Sequence, residues 1–176
     1  MLFYEKVCLL VKTLFLSRHA KSSWGQSGTP DHERPLNERG CRDAPAMARR
    51  LQKRGVRLDR LISSSAQRAQ ETASFFVEEL EVPPEAFFLE TALYGATAVD
   101  WLRLIQGLDE SLDSVMMIGH NPTLTELANG LGRIDITNVP TCGILECRFS
   151  GDYWANFGDQ LGELEIEFDF PKNAEL

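Results

Sequence analysis

The chain has three histidines in 176 residues, His19, His32 and His120. Two of them follow short apolar runs. Thr13–Ser17 (TLFLS) leads into Arg18-His19, and Ser114–Ile118 (SVMMI) leads into Gly119-His120-Asn121-Pro122. A third run, Leu58–Ser63, leads into Ser63–Arg68 (SSSAQR), which sets Arg68 on the first turn of the helix that follows. A helix start favours anions because its free N–H groups point outward. In open α/β sheets, sites form at the carboxyl ends of strands, so three strand ends offer two imidazoles and two arginines to one crevice. The chemistry open to that set is anion binding by the arginines beside imidazoles that can act as nucleophile or proton carrier. Each piece alone is weak, since lone histidines are more often structural and surface arginines often only solvated. Two of three histidines at strand ends make a stronger constellation.

The elements that must position these residues are legible from period and punctuation. Thr13–Ser17, Leu58–Ser63, Phe87–Leu89, Ser114–Ile118, Gly143–Phe149 and Leu164–Phe170 are short, apolar or β-branched, as strands are. Helices are expected from Asn37, a cap, to Arg54, with Gly55 as the stop. Pro45 lies inside that stretch, so either the first turn kinks or Asp43 recaps a main helix over residues 44–54. Ser65–Leu80 carries Ala69, Ala73, Phe76, Val77 and Leu80 at spacings of three and four. Val99–Gly107 and a stretch from Asn121, a second cap, to about Gly130 complete the helices. Residues 21–35, rich in Ser, Gly and Pro, form a loop. Strands alternating with helices predict a three-layer α/β/α protein with a mostly parallel sheet.

Composition sets the outer bounds. At 43% hydrophobic and 25% charged, the chain is an ordinary globular one, long enough for one domain with a real core. A net charge of −8 argues against a general nucleic-acid binder. Yet residues 1–68 hold 14 of the 18 Lys and Arg and only 6 of the 26 Asp and Glu. That is either helix-surface composition or the footprint of an anion site. Cys8, Cys41, Cys142 and Cys147 form no CxxC pair and lie far from histidine, so zinc is not expected; they read as reduced thiols, although Cys142 and Cys147 could pair. No Walker lysine or GxGxxG motif points to a nucleotide cofactor. Met1–Leu16 is too short and too interrupted by Lys6 and Lys12 to span a bilayer, and it lacks the marks of a signal peptide, so a cytoplasmic protein without membrane or nucleic-acid partners is expected.

The motifs resemble a known family. LFLSRHAKSSW is similar to the RHG-type signature of the histidine phosphatase superfamily, which includes phosphoglycerate mutases and acid phosphatases. With DHERPLNERG, SSSAQRAQETA, IGHNP, the LYGAT of Leu93–Thr97 and the final FPK of Phe170–Lys172, the chain resembles the phosphohistidine phosphatases of the SixA type from about Lys12 to Lys172. The resemblance implies a phosphoglycerate mutase-like fold over residues 12–176, with residues 1–11 as an extension; Met1–Leu10 reads as dispensable, or alternatively Val7, Leu9 and Leu10 lengthen the first strand. It places the nucleophile on His19, phosphate-binding arginines on Arg18, Arg34 and Arg68, and the second pocket histidine on His120. His19 would attack phosphorus in line to give a phosphohistidine that water then cleaves. The arginines would grip the equatorial oxygens and disfavour protonation of His19, and His120, if protonated, would add a donor.

One departure matters. Many members of the superfamily carry an acidic proton donor before the LYG-like stretch, but here Glu90 stands four residues before Tyr94 and mutase-like spacing falls on Thr91. Glu90 is then a shifted acid or a surface glutamate. A missing acid suits a phosphohistidine leaving group and disfavours alkyl esters, whose alkoxides need a proton. His32, near the pocket, either touches substrate or stands in solvent, the second being the expectation. Lys21, Ser22 and Ser23 donate to phosphate or cap a turn. Trp101 and Trp154 are expected to pack, as is Trp24, which could also rim the mouth. The resulting expectation is a metal-independent, cofactor-free phosphatase acting on phosphohistidine of a signalling phosphotransfer domain. Its rivals are a phosphatase of a small phosphorylated metabolite and a silent phosphate-binding scaffold. Little sequence lies between Leu80 and Asp100 to build a lid, so the site should be open.

Overall fold

The computed structural model describes residues 11–24, 28–151, 153–159 and 164–171. Among the described residues, six strands and four α-helices follow one another as β1 (Val11–Arg18), α1 (Glu38–Lys53), β2 (Arg60–Ser64), α2 (Gln67–Glu79), β3 (Phe87–Glu90), α3 (Ala98–Gln106), β4 (Ser114–Gly119), α4 (Thr123–Gly132), β5 (Ile144–Ser150) and β6 (Leu164–Asp169). They form one sheet in the order β3-β2-β4-β1-β5-β6. The first four strands of that order pair in parallel; β5 runs against both β1 and β6.

The central strands β1 and β4 are apolar on both faces because both faces are covered. In β1, Leu14 and Leu16 face one core with Val115 and Met117 of β4, packed on Trp101, Ile105, Leu124 and Leu127 of α3 and α4. Phe15 faces the other with Met116 and Ile118, packed on Met47 and Leu51 of α1 and Ala69 and Phe76 of α2. This is the expected three-layer architecture. Lys12, an interruption of the apolar N-terminal run, is buried without strain. Its Nζ donates to the carbonyls of Glu110 and Leu112 and pairs with Asp113.

Asn37 caps α1 by accepting from Gly40 N–H at 3.0 Å, and Gly55 follows its end at φ +75°. Pro45 neither recaps nor divides the helix, which runs unbroken from Glu38 to Lys53. Arg54 caps its C-terminal end and pairs with Glu146 of β5. Residues 1–10, with Cys8 and the extension expected there, lie outside the described residues, as does Lys172; Val11 is already a strand residue, opposite Ser150. Cys142 and Cys147 are buried free thiols, and Cys41 is an exposed one. Burial pushes the Cys147 thiol up to about 12 and Cys142 upward as well, so both remain protonated.

Candidate active site

The sheet register assembles the site. Arg18 at the end of β1 pairs with Gly119 at the end of β4, and Ser63 of β2 pairs with Ile118. Adjacent parallel strands therefore stop level with one another, and the residues that leave them, His19, His120 and Ser64, emerge side by side. His19 N–H donates to the Gly119 carbonyl at 2.9 Å, and the two imidazole centroids are 5.0 Å apart. Arg68, the second residue of α2, comes back over the end of β2 and donates from Nε to His19 Nε2 at 3.3 Å.

These contacts fix the state of His19. Nδ1 lies 2.7 Å from the Ala20 carbonyl, which can only accept, so the proton is assigned to Nδ1 and the lone pair to Nε2, facing Arg68. His19 is 8% exposed. Burial first, then His120, and then Arg68 and Arg18 hold its pKa well below the ordinary imidazole value; the Ala20 hydrogen bond opposes them. A neutral imidazole with an outward lone pair is a nucleophile. His120 is pushed down to about 4, by burial and then chiefly by Arg68, so it favours the uncharged imidazole at neutral pH. Its Nε2 lies 2.8 Å from Ser64 Oγ.

A cleft of about 210 Å³ opens over this pair, lined by Arg18, His19, Arg34, Arg68, His120 and Asn121, with Lys21 and Trp24 at its mouth. All five expected site residues thus reach one cavity. Arg34 is delivered by the loop after β1: its Nε donates to the Ser23 carbonyl, its Nη2 to Ser22 Oγ at 2.8 Å and its Nη1 to Asp31 at 2.7 Å. Arg18 is anchored on the opposite side, with Nη1 donating to Asn138 Oδ1 and the Val139 carbonyl. Buried Arg18 Nε and His120 Nδ1 have no hydrogen-bond partner among the described residues and are free to serve a bound anion. A wider groove of about 490 Å³ continues past Arg68 and His120, between Tyr94 and the start of α4. Among the described residues, no group of three or more His, Cys, Asp and Glu could hold a metal ion.

Several expectations change. Asn121 does not cap α4, which begins after Pro122; its amide donates to Asn138 Oδ1 and the Val139 carbonyl, the same acceptors as Arg18, so it braces that arginine's anchor. His32 is not loose in solvent but bonds Ser65 Oγ at 3.0 Å and meets the Tyr94 ring edge-on. Trp24 does not pack in the core: it is 82% exposed, with the Arg34 guanidinium 3.8 Å from its ring centre, whereas Trp101 and Trp154 are fully buried. Glu90 does not reach the cleft. Its carboxylate caps the short turn of Thr91–Leu93 by accepting from Ala92 N–H.

Two residues of the site escape a reading of the motifs. Asp31 bridges Arg34 and Arg68 and accepts from the Tyr94 hydroxyl at 2.8 Å. The Arg34 hydrogen bond first, with those of Tyr94 and Arg68, holds its carboxyl far below the usual range. The only signal for it was the spacing of three from Arg34 in a loop, which sets both on one side of a short turn. Tyr94 lies within the recognisable LYGAT stretch, but nothing in sequence brings that stretch over His120, whose ring it meets edge-on at 5.5 Å.

The family model of the histidine phosphatase superfamily (branch 1) matches residues 14–87. An uncharacterised protein of Mycobacterium tuberculosis is 31% identical over 149 residues, 79% of this chain and 90% of that one. The crystal structure assigned as the phosphohistidine phosphatase SixA of Agrobacterium tumefaciens superposes with a TM-score of 0.78 at 26% identity, covering 91% of this chain and 98% of its own. The protein histidine phosphatase SixA complexed with tungstate shares the fold at a TM-score of 0.72 and 22% identity, covering 90% and 94%. The chain belongs to the histidine phosphatase superfamily and is a phosphatase of that class.

Proposed function

We propose that the protein hydrolyses phosphohistidine on a protein partner, such as a phosphotransfer domain, through a phosphorylated His19. The observation that carries the mechanism is the His19 Nε2 lone pair, buried, neutral and turned toward Arg68 at the floor of a cationic cleft. His19 Nε2 forms a bond to phosphorus as the bond from phosphorus to the substrate imidazole nitrogen breaks. The electron pair stays on that nitrogen, which is protonated from solvent. Water then attacks phospho-His19, releasing phosphate and returning the lone pair to Nε2. Arg18, Arg34 and Arg68 neutralise the equatorial oxygens while His120 donates to them; removing one such group costs about 10²–10³ in rate.

Two features favour a phosphohistidine substrate. The carboxylate bonded to the cleft arginines, Asp31, is held ionised by two arginines and a tyrosine, so it is a poor donor to an alkoxide; an imidazole leaving group asks less of an acid. The exposed Trp24 and the short 81–97 connection leave the mouth accessible to a protein surface. The similarity to the SixA of Agrobacterium tumefaciens supports the same reading.

The test is a comparison of kcat/KM for a phosphohistidine-bearing phosphotransfer protein with a panel of phosphate monoesters. Phosphohistidine should lead, an acid-labile phosphoenzyme should be trapped on rapid quenching, and His19→Ala should abolish both. A lead for a small ester would make the protein a metabolite phosphatase. Anion binding without turnover of any substrate would make it a scaffold, and full activity in His19→Ala would end the covalent step.

A further inference from the structure

Asp31 lies where an acidic residue is least expected. Its two carboxylate oxygens accept from two different guanidiniums, Oδ1 from Arg34 Nη1 at 2.7 Å and Oδ2 from Arg68 Nη2 at 2.9 Å, while its backbone carbonyl accepts from Arg68 Nη1 at 2.6 Å. Tyr94 Oη adds a third side-chain donor at 2.8 Å. Every nitrogen of both arginines has a partner, because Arg34 also holds Ser22 and Ser23 and Arg68 also holds His19. A carboxylate between two arginine forks has the shape and charge of one edge of a phosphoryl group. The Asp31 side chain is half exposed, on the three-residue turn Asp31–Glu33, so it can rotate outward without disturbing the sheet.

We infer that Asp31 is a resident anion of the cleft. It keeps Arg34 and Arg68 aligned between turnovers, yields their donors to the incoming phosphoryl group and competes for them again when phosphate leaves. It is a positioning residue acting through the two arginines. The inference rests on the cleft being the phosphoryl site proposed above. Two consequences separate this role from a purely structural ion pair. Removing the charge strengthens anion binding, because the competitor is gone and a nearby negative charge no longer repels the ligand; a structural anchor would weaken it on removal. Product inhibition also deepens, because nothing reclaims the arginines from bound phosphate.

Calorimetric titration of the whole chain with tungstate, an oxyanion that is not turned over, measures the first directly. Asp31→Asn should bind tungstate more tightly, on the order of tenfold, and Asp31→Glu, which keeps the charge, should stay near wild type. The inhibition constant for inorganic phosphate should fall in step. If Asp31→Asn does not fold, as judged by its melting curve, Asp31→Ser removes the same charge with a smaller side chain and should shift affinity the same way. Wild-type binding with equal or weaker binding in the folded variant overturns the resident-anion role alone. Absence of tungstate binding in both proteins at millimolar concentration overturns the anion site as well.

Discussion

His19 and His120 are histidines that the fold keeps uncharged, and this has a measurable consequence for stability. In the unfolded chain both return to a pKa near 6.5, above their native values, so on acidification the unfolded state takes up protons that the native state refuses. Stability is therefore fully present above pH 7 and declines as pH falls through the unfolded value. For His120, at about 4, the loss between pH 7 and pH 5 is about 2 kcal/mol. Urea unfolding at pH 5, 6 and 7 should show this slope, and His120→Asn should remove its share. An unchanged slope in that variant would mean that His120 keeps its unfolded-state pKa in the native protein. At this scale the sequence was informative where chemistry clusters in motifs: His19, Arg18, Arg34, Arg68 and His120 all reach the cleft. It was silent on Asp31, Asn138 and Tyr94, whose parts depend on which loops cross, and no local spacing encodes that.

The elements position the site through a few close approaches. Gly119 ends β4 directly against the Trp101 ring of α3, and a methyl group there would overlap it. Gly40, in the first turn of α1, leaves no room for a side chain against the Lys21 carbonyl, which also accepts from Asn37 N–H at 3.0 Å. The start of α1 is thereby pinned to the loop that follows His19 and carries Ser22 and Ser23, the supports of Arg34. Gly40→Ala should displace that loop, destabilise the protein by about 1–3 kcal/mol and raise KM through Arg34 more than a surface Gly→Ala such as Gly130→Ala. Thermal melts and steady-state kinetics on the two variants decide it; equal effects would show that the α1 contact does not support the cleft. The strands and helices themselves were legible because their apolar runs are short and cleanly punctuated by Asn37, Gly55 and Pro83-Pro84. Pro45 misled because local rules disfavour proline inside a helix, while burial of Ala44, Met47, Ala48 and Leu51 holds α1 together across it. The Asn121 cap failed because its Nδ2 is held by tertiary acceptors at 138–139, while its Oδ1 accepts no N–H of the helix start.

Across the molecule, the uneven charge of the sequence divides between two uses. Arg49, Arg50, Arg54 and Arg57 are tied to Glu79, Asp169, Glu146 and Glu81, in ion pairs away from the cleft. Arg18, Lys21, Arg34 and Arg68 come from the same cation-rich residues 1–68 and gather around one cleft, against Asp31 as the carboxylate bonded among them. On a chain of net charge −8 this gathering of cations is expected to give a local positive field that steers a phosphorylated substrate toward the mouth. Such steering decays over about 8–10 Å at physiological salt, so it acts on encounter and not on the bond-breaking step. Raising sodium chloride from low to high concentration should therefore increase KM for a charged substrate while kcat changes little. Lys21 isolates the effect, since it lines the mouth without bridging to Asp31. Lys21→Gln should raise KM by roughly two- to fivefold at low salt and by much less at high salt, with kcat near wild type throughout. A KM independent of salt in both proteins would show that the cations bind phosphate only on contact, and that the asymmetry of the chain does not extend its reach into solution.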